Sequence, residues 1–216
     1  NIEKLKAIRK RNPHVFDSLY QQDPKPSEGL MYDSGFTEYN IRPATKYCIR
    51  KAYVDTADTG ADYLCAIIYD ETEVGNYLVD VLYTQKPMEY TEPALARMLT
   101  KHQVQECVVE SNNGGRGFQR AVENQCRLMG NAKTKFRWFH QKENKEVRIN
   151  INSAAVQNLT YMPQGWMNLF PEFSSAILSY MKIGNNPHDD APDALTGTIE
   201  KRKGKAKSDV AGLFGR

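Results

Sequence analysis

Acidic residues at distant positions of the chain have the surroundings that metal-dependent phosphodiester chemistry requires. Asp55 ends a β-rich run, Glu110 follows the apolar residues 107–109, and Asp190 and Asp193 lie in a short acidic stretch. Hydrolysis with two metal ions needs several carboxylates that converge, so that two hard cations ~3.5–4 Å apart act on one phosphodiester. Mg²⁺ and Mn²⁺ prefer such oxygen ligands. These four acids are therefore the candidates for such a site, provided that the fold brings them together.

Asp55 and Glu110 differ in how readily ordinary structure explains them. Asp55 could equally be a turn residue that begins residues 55–58, so the sequence leaves both a turn role and a functional role open. Glu110 ends a predicted central strand, a place where glutamate is not a turn former. A buried acid there costs free energy unless it is paired or bound to a metal. Glu110 is therefore the more informative of the two.

The last acidic stretch contains three aspartates beside His188. Pro192 is tolerated near a helix start, where N-caps also collect acids. Capping explains one carboxylate but hardly three. Asp190 and Asp193 are three residues apart and Asp189 and Asp193 are four apart, so either pair could present oxygens to one ion. The spacing does not choose between them.

The elements that must position these acids follow from the hydrophobic periodicity. Three β-rich runs in succession, 47–55, 62–70 and 76–84, predict an antiparallel meander. Helical and strand-like patterns then alternate, with helices at 91–102, 116–129, 147–157, 173–181 and 193–202 and strands at 106–110, 135–140 and 159–162. This order predicts an α/β fold with a mixed central sheet, an antiparallel meander followed by parallel strands, flanked by helices.

Composition divides the chain into three parts. Its 216 residues, 40% hydrophobic, suffice for one well-buried domain, which we place at 47–200. Frequent Pro and Gly predict that 1–46 is a lead-in linker, and its start without Met suggests a domain excised from a longer protein. The basic residues 201–216 are predicted to be disordered until they meet a partner.

Cysteine usage and charge exclude several classes of protein. The four cysteines form no Cys-x-x-Cys pair, which argues against a zinc site or a disulfide framework, and Cys65 and Cys107 resemble small buried hydrophobes. No apolar stretch approaches the ~20 residues that span a bilayer, so we expect a soluble protein with no membrane partner. The net charge of +3 is small, and a nucleic-acid role must depend on where the charges lie.

Together the acidic motifs resemble the carboxy-terminal nuclease domain of tailed-phage terminase large subunits. The residues that carry the resemblance are 55–57, Asp62, 109–112, Gly114, Gly115, Phe118 and 188–195. Residues 16–24 of the lead-in also resemble the end of the family's motor ATPase domain, where a Tyr-Gln-Gln-x-Pro stretch precedes the linker to the nuclease. The resemblance covers nearly the whole chain, and the motifs in this order are more specific than any one alone.

The resemblance implies a ribonuclease H-like fold in which Asp55, Glu110 and one acid of the last motif bind two Mg²⁺ or Mn²⁺ ions. We favour Asp193, with Asp190 as an additional ligand and Asp189 as the less favoured choice. The implied activity is endonucleolytic cutting of concatemeric viral DNA in the cytoplasm of an infected bacterium. The implied partners are double-stranded DNA and, in the full-length protein, an ATPase domain, the small terminase subunit and the portal.

No Gly-x-x-x-x-Gly-Lys-Ser/Thr loop occurs in the sequence, so no ATPase activity is expected of it. The predicted DNA contacts are two pairs of residues. Lys145 and Arg148 resemble a basic Lys-x-x-Arg-Ile element of the family and would give salt-dependent, sequence-independent binding. Asn112 and Arg116 belong to a glycine-rich turn that could meet a phosphate, although a flexible connection explains that turn equally well.

Two other functions remain open at this point. A junction resolvase or transposase shares the fold and the acids, and it would prefer branched over linear duplex. A catalytically silent ribonuclease H-like module would bind DNA or a capsid protein without cutting. Metal-dependent nicking of supercoiled plasmid separates this second alternative from a nuclease, because a binder shifts the band and leaves it intact.

Overall fold

A seven-stranded mixed sheet lies at the centre of the computed structural model, which describes residues 29–56, 62–110, 115–184 and 186–202. Its strands are β1 (Thr37–Tyr39), β2 (Cys48–Asp55), β3 (Leu64–Thr72), β4 (Asn76–Thr84), β5 (Glu106–Glu110), β6 (Lys135–Phe139) and β7 (Thr160–Pro163). The helices of the described ranges are α1 (Met88–Lys101), α2 (Gly115–Leu128), α3 (Lys145–Leu159), α4 (Trp166–Leu169), α5 (Pro171–Leu178) and α6 (Asp190–Glu200).

The strand order, β1-β7-β4-β3-β2-β5-β6, confirms the predicted mixed sheet. β2, β3 and β4 pair antiparallel, as the meander requires, and β5 joins β2 in parallel with β6 outside it. On the other side, β7 pairs parallel to β4 and β1 pairs parallel to β7. The pairing of β2 with β5 aligns Asp55 directly with Glu110. Two of the candidate acids therefore end neighbouring parallel strands at the same edge of the sheet.

Both faces of the sheet are covered, and this explains why β3 is buried along its whole length. Alternate residues of a strand point to opposite faces. On one face Tyr53 and Ile67 belong to the core that α3, α5 and α6 cover. On the other face Val54 and Ile68 pack in the core beneath α1 and α2. The acids at the edge are thus held between a rigid sheet and the helices that cover it.

Helix α6 lies very close to β2 because residue 197 is glycine. A Cβ atom at Gly197 would overlap the ring of Tyr53. Without that atom the helix rests on the face of the tyrosine ring, and its first turn reaches the strand ends. This close approach is what brings Asp193, one turn before Gly197, to the acids of β2 and β5.

The packed unit begins before the predicted boundary at residue 47. Strand β1 comes from within the predicted linker and forms an edge of the sheet beside β7. Tyr32 is also buried, and its backbone O accepts from the N–H of Gly35. At the other end, Arg202 donates to Oδ1 of Asn76 (2.6 Å) and to the backbone O of Thr72 (2.9 Å). The start of the predicted basic tail is therefore packed, while 1–28 and 203–216 lie outside the described residues.

The other sequence-based elements agree with the structure to within a few residues, and α4 is an additional short helix. Of the cysteines, Cys65, Cys107 and Cys126 are buried and Cys48 is exposed. None of the helices in the described part of the chain is both long and apolar enough to cross a membrane.

Candidate metal centre

Asp55, Glu110 and Asp193 meet at the carboxyl edge of the central strands. Each offers one carboxylate oxygen, and these three oxygens lie within 4.8 Å of one another. All three residues are buried, with exposed fractions of 3%, 1% and 0%. Three carboxylates from β2, β5 and α6 therefore share one pocket, as the sequence-based hypothesis requires.

Lys145, the first residue of α3, places its ammonium group among these acids. Its Nζ lies 3.1 Å from Oδ2 of Asp55 and 3.2 Å from Oδ1 of Asp190. It is also 3.6 Å from Oδ1 of Asp189 and 3.7 Å from Oδ2 of Asp193. The side chain as a whole is 30% exposed, so it is less enclosed than Asp55 and Asp193. Lys145 partly neutralises the carboxylates and reaches the mouth of the site.

Arg148 lies on the same helix but is 1% exposed. Its Nη1 is 3.1 Å from Oδ1 of Asp193 and 3.5 Å from Oε2 of Glu110, and its Nη2 is 3.0 Å from Oε2 of Glu200. A guanidinium with no exposed surface has none to offer a DNA phosphate. This burial argues against the predicted DNA contact by Arg148, because α3 turns the residue towards the carboxylates of α6 and β5.

Two hydrogen bonds hold Glu110. The hydroxyl of Tyr53 donates to its Oε2 at 2.5 Å, and the hydroxyl of Thr56 donates to its backbone O at 3.0 Å. Sequence reasoning did not single out Tyr53. The signal was available, because Tyr53 lies two residues before Asp55 and the two side chains must share a face of β2. Tyr53, together with Arg148, helps to position this carboxylate.

Burial and crowding favour the protonated carboxyls at this site. Burial raises the pKa of Asp55 well above its usual value; Asp193 and Glu110 add to that effect and Lys145 opposes it. Burial, together with Glu110 and Asp189, raises the pKa of Asp193 to about 7 even though Arg148 and Lys145 oppose the rise. Burial disfavours the charge of Lys145, but the surrounding acids outweigh it and raise the pKa of its ammonium. Added positive charge would therefore be accommodated here.

The donor set fits a hard divalent cation. The clustered ligands are carboxylate oxygens, which Mg²⁺ and Mn²⁺ prefer. Oδ1 of Asp193 is buried and accepts no hydrogen bond from the described residues, although Nη1 of Arg148 lies 3.1 Å away. Arg148 is thus paired with this oxygen by charge without an aligned hydrogen bond, and the oxygen keeps lone pairs that a bound metal ion could use. Asp55, Glu110 and Asp193 are the residues that would hold the ion.

The other predicted site residues lie around this cluster. Asp190 is buried; its Oδ2 accepts from the backbone N–H of Tyr63 at 3.0 Å, and its Oδ1 faces Lys145. Arg116 is exposed at the start of α2, and its guanidinium carbon lies 4.5 Å above the centre of the Trp138 ring. Asn112 lies outside the described residues. The fold thus brings Asp190 close to the other acids, whereas Arg116 lies at the protein surface.

We expect Mn²⁺ to stabilise the protein far more at about pH 8 than at about pH 5.5, because protons compete with the cation for its ligands. The folded-state pKa of Asp193, about 7, exceeds the ordinary value of 3.8. Without metal, the stability that this carboxyl contributes is complete below about pH 4 and is lost as pH rises through 7. Bound cation reverses that loss by favouring the ionised form.

The measurement is the melting temperature with and without Mn²⁺ at both pH values. Asp193→Asn is the control, since an amide cannot titrate and the metal-dependent shift should shrink at both. A Mn²⁺ shift of the same size at the two pH values in the wild type would contradict this account of Asp193.

A meander followed by parallel strands, with acids at the ends of adjoining strands, defines a ribonuclease H-like nuclease fold. The family model described as Terminase Bacteriophage T7, Ribonuclease H-like domain, matches residues 54–158, which include Asp55 and Glu110. Over these residues the chain is therefore similar to a terminase ribonuclease H-like domain. No curated protein matches the chain.

Solved terminase structures share this fold. The human cytomegalovirus terminase nuclease domain, Mn soaked and inhibitor bound, has a TM-score of 0.52 at 14% identity, over 78% of this chain and 90% of that one. The large terminase of a thermophilic bacteriophage, in complex with ADP, has a TM-score of 0.52 at 15% identity, over 80% of this chain and 45% of that one. At these identities the likeness concerns the fold.

Proposed function

We propose that the chain is a metal-dependent endonuclease that cuts double-stranded, concatemeric viral DNA during genome packaging. The observation that carries the proposal is the convergence of Asp55, Glu110 and Asp193 in one buried pocket. The terminase family match over 54–158 supports the nuclease assignment and the viral setting. The fold match to a terminase nuclease domain soaked with Mn agrees with a divalent cofactor.

In this proposal Asp55, Glu110 and Asp193 hold two Mg²⁺ or Mn²⁺ ions, and Asp190 serves as an additional ligand. Asp189 is the less favoured ligand, because it is the most exposed of the six acids around Lys145 and Arg148, with 36% of its side chain accessible. When bound, the ions would lower the pKa of the attacking water and stabilise charge on the phosphodiester. The protein's own side chains would hold and orient the ligands of these ions.

Those side chains orient the ligands and balance their charge. Tyr53 fixes Glu110 through its hydroxyl, and Arg148 holds Asp193 from the buried side. Lys145 keeps Asp55 and Asp190 close together in the absence of metal. Because its side chain is partly exposed, we also propose that Lys145 contacts a DNA phosphate.

DNA binding in this proposal uses Lys145 together with the exposed Arg116, and Asn112 stays a candidate contact of the adjoining loop. Such contacts are electrostatic, so affinity should fall steeply with salt. The proposed setting is the cytoplasm of an infected bacterium, within a longer protein that carries a packaging ATPase. The small terminase subunit and the portal are the proposed partners of that longer protein.

Conversion of supercoiled plasmid to nicked and linear forms tests the activity. We expect cutting in Mg²⁺ or Mn²⁺ and none after chelation with EDTA, since the acids alone supply no activated water. If the protein shifts the plasmid band on a gel but cuts the plasmid with neither metal ion, the chain is a binding module and not a nuclease. Strong preference for branched over linear duplex would favour the resolvase alternative.

A further inference from the structure

A cavity of about 520 Å³ lies beside the acidic cluster, next to the segment that leads into α6. Its walls come from Tyr63 and Tyr83 of the sheet region, from α5, and from residues 186–188. The cavity adjoins the acids, because the backbone N–H of Tyr63 donates to Oδ2 of Asp190. The proposed roles of the acids leave this space unused.

Tyr63, Tyr83 and His188 form an aromatic part of the cavity lining. The rings of Tyr63 and Tyr83 stack with centroids 4.3 Å apart and an angle of 11° between their planes. The ring of His188 meets Tyr63 edge-on, with centroids 5.0 Å apart and an angle of 73°. Ring faces of this kind attract planar, weakly polar rings, and nucleobases stack on them irrespective of sequence.

The polar groups of the cavity suit an uncharged ring with hydrogen-bonding edges. Burial raises the pKa of Tyr180 to about 12, with Asp189 adding to the effect, so its hydroxyl remains a donor. Glu172 and Ser175 of α5 also line the cavity and can accept hydrogen bonds. The described lining residues include no Lys or Arg, and the nearby acids would repel a phosphate. The chemistry therefore favours a base over a phosphate or an acidic peptide.

We propose that this cavity receives a single nucleobase, unstacked from the DNA strand whose phosphate lies at the acidic cluster. The inference rests on the proposed nuclease function, since a strand bound at the acids is what brings a base to this wall. Removing a base from a duplex costs free energy, and stacking on Tyr63 returns part of it. DNA that is already unpaired near the cut avoids that cost and should be the better substrate.

The test compares cutting of a linear duplex that carries a short unpaired bubble with cutting of its fully paired counterpart, in Mn²⁺. The wild type should cut within the bubble about tenfold faster, a ratio in keeping with the stacking of one base. Tyr63→Leu should bring the two rates close together. Ser175→Tyr, which fills the cavity from α5 and removes no core side chain, should do the same and covers the case in which Tyr63→Leu folds poorly.

Tyr161→Leu is the matched control. Tyr161 stacks on Tyr77 with centroids 4.5 Å apart and an angle of 9°, a pair of the same geometry between β4 and β7. Losing a stacked tyrosine there should lower stability and leave the preference for the bubble intact. A preference that survives both Tyr63→Leu and Ser175→Tyr overturns the base site, as does a wild type with no preference at all.

A binding measurement separates this inference from the nuclease function. A single strand containing 2-aminopurine, bound with Ca²⁺ in place of Mn²⁺, should lose fluorescence when the base stacks in the cavity. The loss should be several-fold smaller with Tyr63→Leu, and an equal loss in both proteins overturns the proposal. Absence of cutting on every substrate in Mn²⁺ refutes the nuclease, whereas cutting that does not depend on Tyr63 refutes the base site alone.

Discussion

Asp55→Asn should lower the rate of metal-dependent DNA cutting by about 1,000-fold or more. The metal-free variant should be as stable as the wild type or more stable. The amide keeps the shape of the side chain and removes a charge that the metal needs. The same charge destabilises the metal-free fold, because burial and neighbouring acids raise the pKa of Asp55 well above its usual value. Lys145 retains three other carboxylates within 4.0 Å.

Asp70→Asn provides a matched control with the opposite expected pattern. Asp70 is equally buried, at 3% exposed, but it is paired with Arg50 at 2.8 Å and with Arg42 at 3.1 Å, towards the far end of the sheet. Its replacement should lower the melting temperature and leave cutting intact. Plasmid cleavage and thermal melts with and without Mn²⁺ measure both. If Asp55→Asn cuts DNA at the wild-type rate, Asp55 is not a metal ligand of the site.

Arg148→Met should destabilise the metal-free protein by about 3–5 kcal/mol, the usual cost of leaving buried charges without their partner. Arg148 is the shared cation of Asp193, Glu110 and Glu200. Methionine fills much of the same volume, so the loss reflects charge more than packing. Bound Mn²⁺ should restore part of the loss, because the cation takes over the balance of charge at Asp193.

Arg127→Met is the control for this loss of a cation. Arg127 is an exposed arginine that pairs with Glu123 at 2.7 Å, four residues earlier on α2, and such surface pairs contribute about 0.3–0.5 kcal/mol. Chemical denaturation of both variants gives the comparison. If Arg148→Met costs no more than Arg127→Met, then Arg148 does not balance the buried acids.

Local patterns in the sequence predicted the elements that carry two of the acids. β5 begins and ends at the predicted residues 106 and 110, because a short apolar run between polar turns has few other interpretations. Its pairing with β2 could be expected from the order of strands and helices. The register that aligns Asp55 with Glu110 then follows from both acids standing last in their strands.

The same patterns could not show where Arg148 points. Two basic residues three apart on a helix lie on one face, but spacing does not reveal whether solvent or a row of acids lies opposite. Long-range packing of α3 against α6 decides that question. Strand β1 was missed for a related reason, since three residues are too few for periodicity and its partner β7 lies more than a hundred residues away.

Because α6 supplies Asp193 and also covers Tyr53, the acidic cluster is complete only when this helix has packed against β2 and β5. The meander and β5 by themselves contain two of the three acids, and Asp193 joins them only through α6. Contacts between residues so distant along the chain form slowly compared with hairpins and helices. In the proposed nuclease, a chain whose α6 has not packed therefore lacks one of the three carboxylates that would hold the metal.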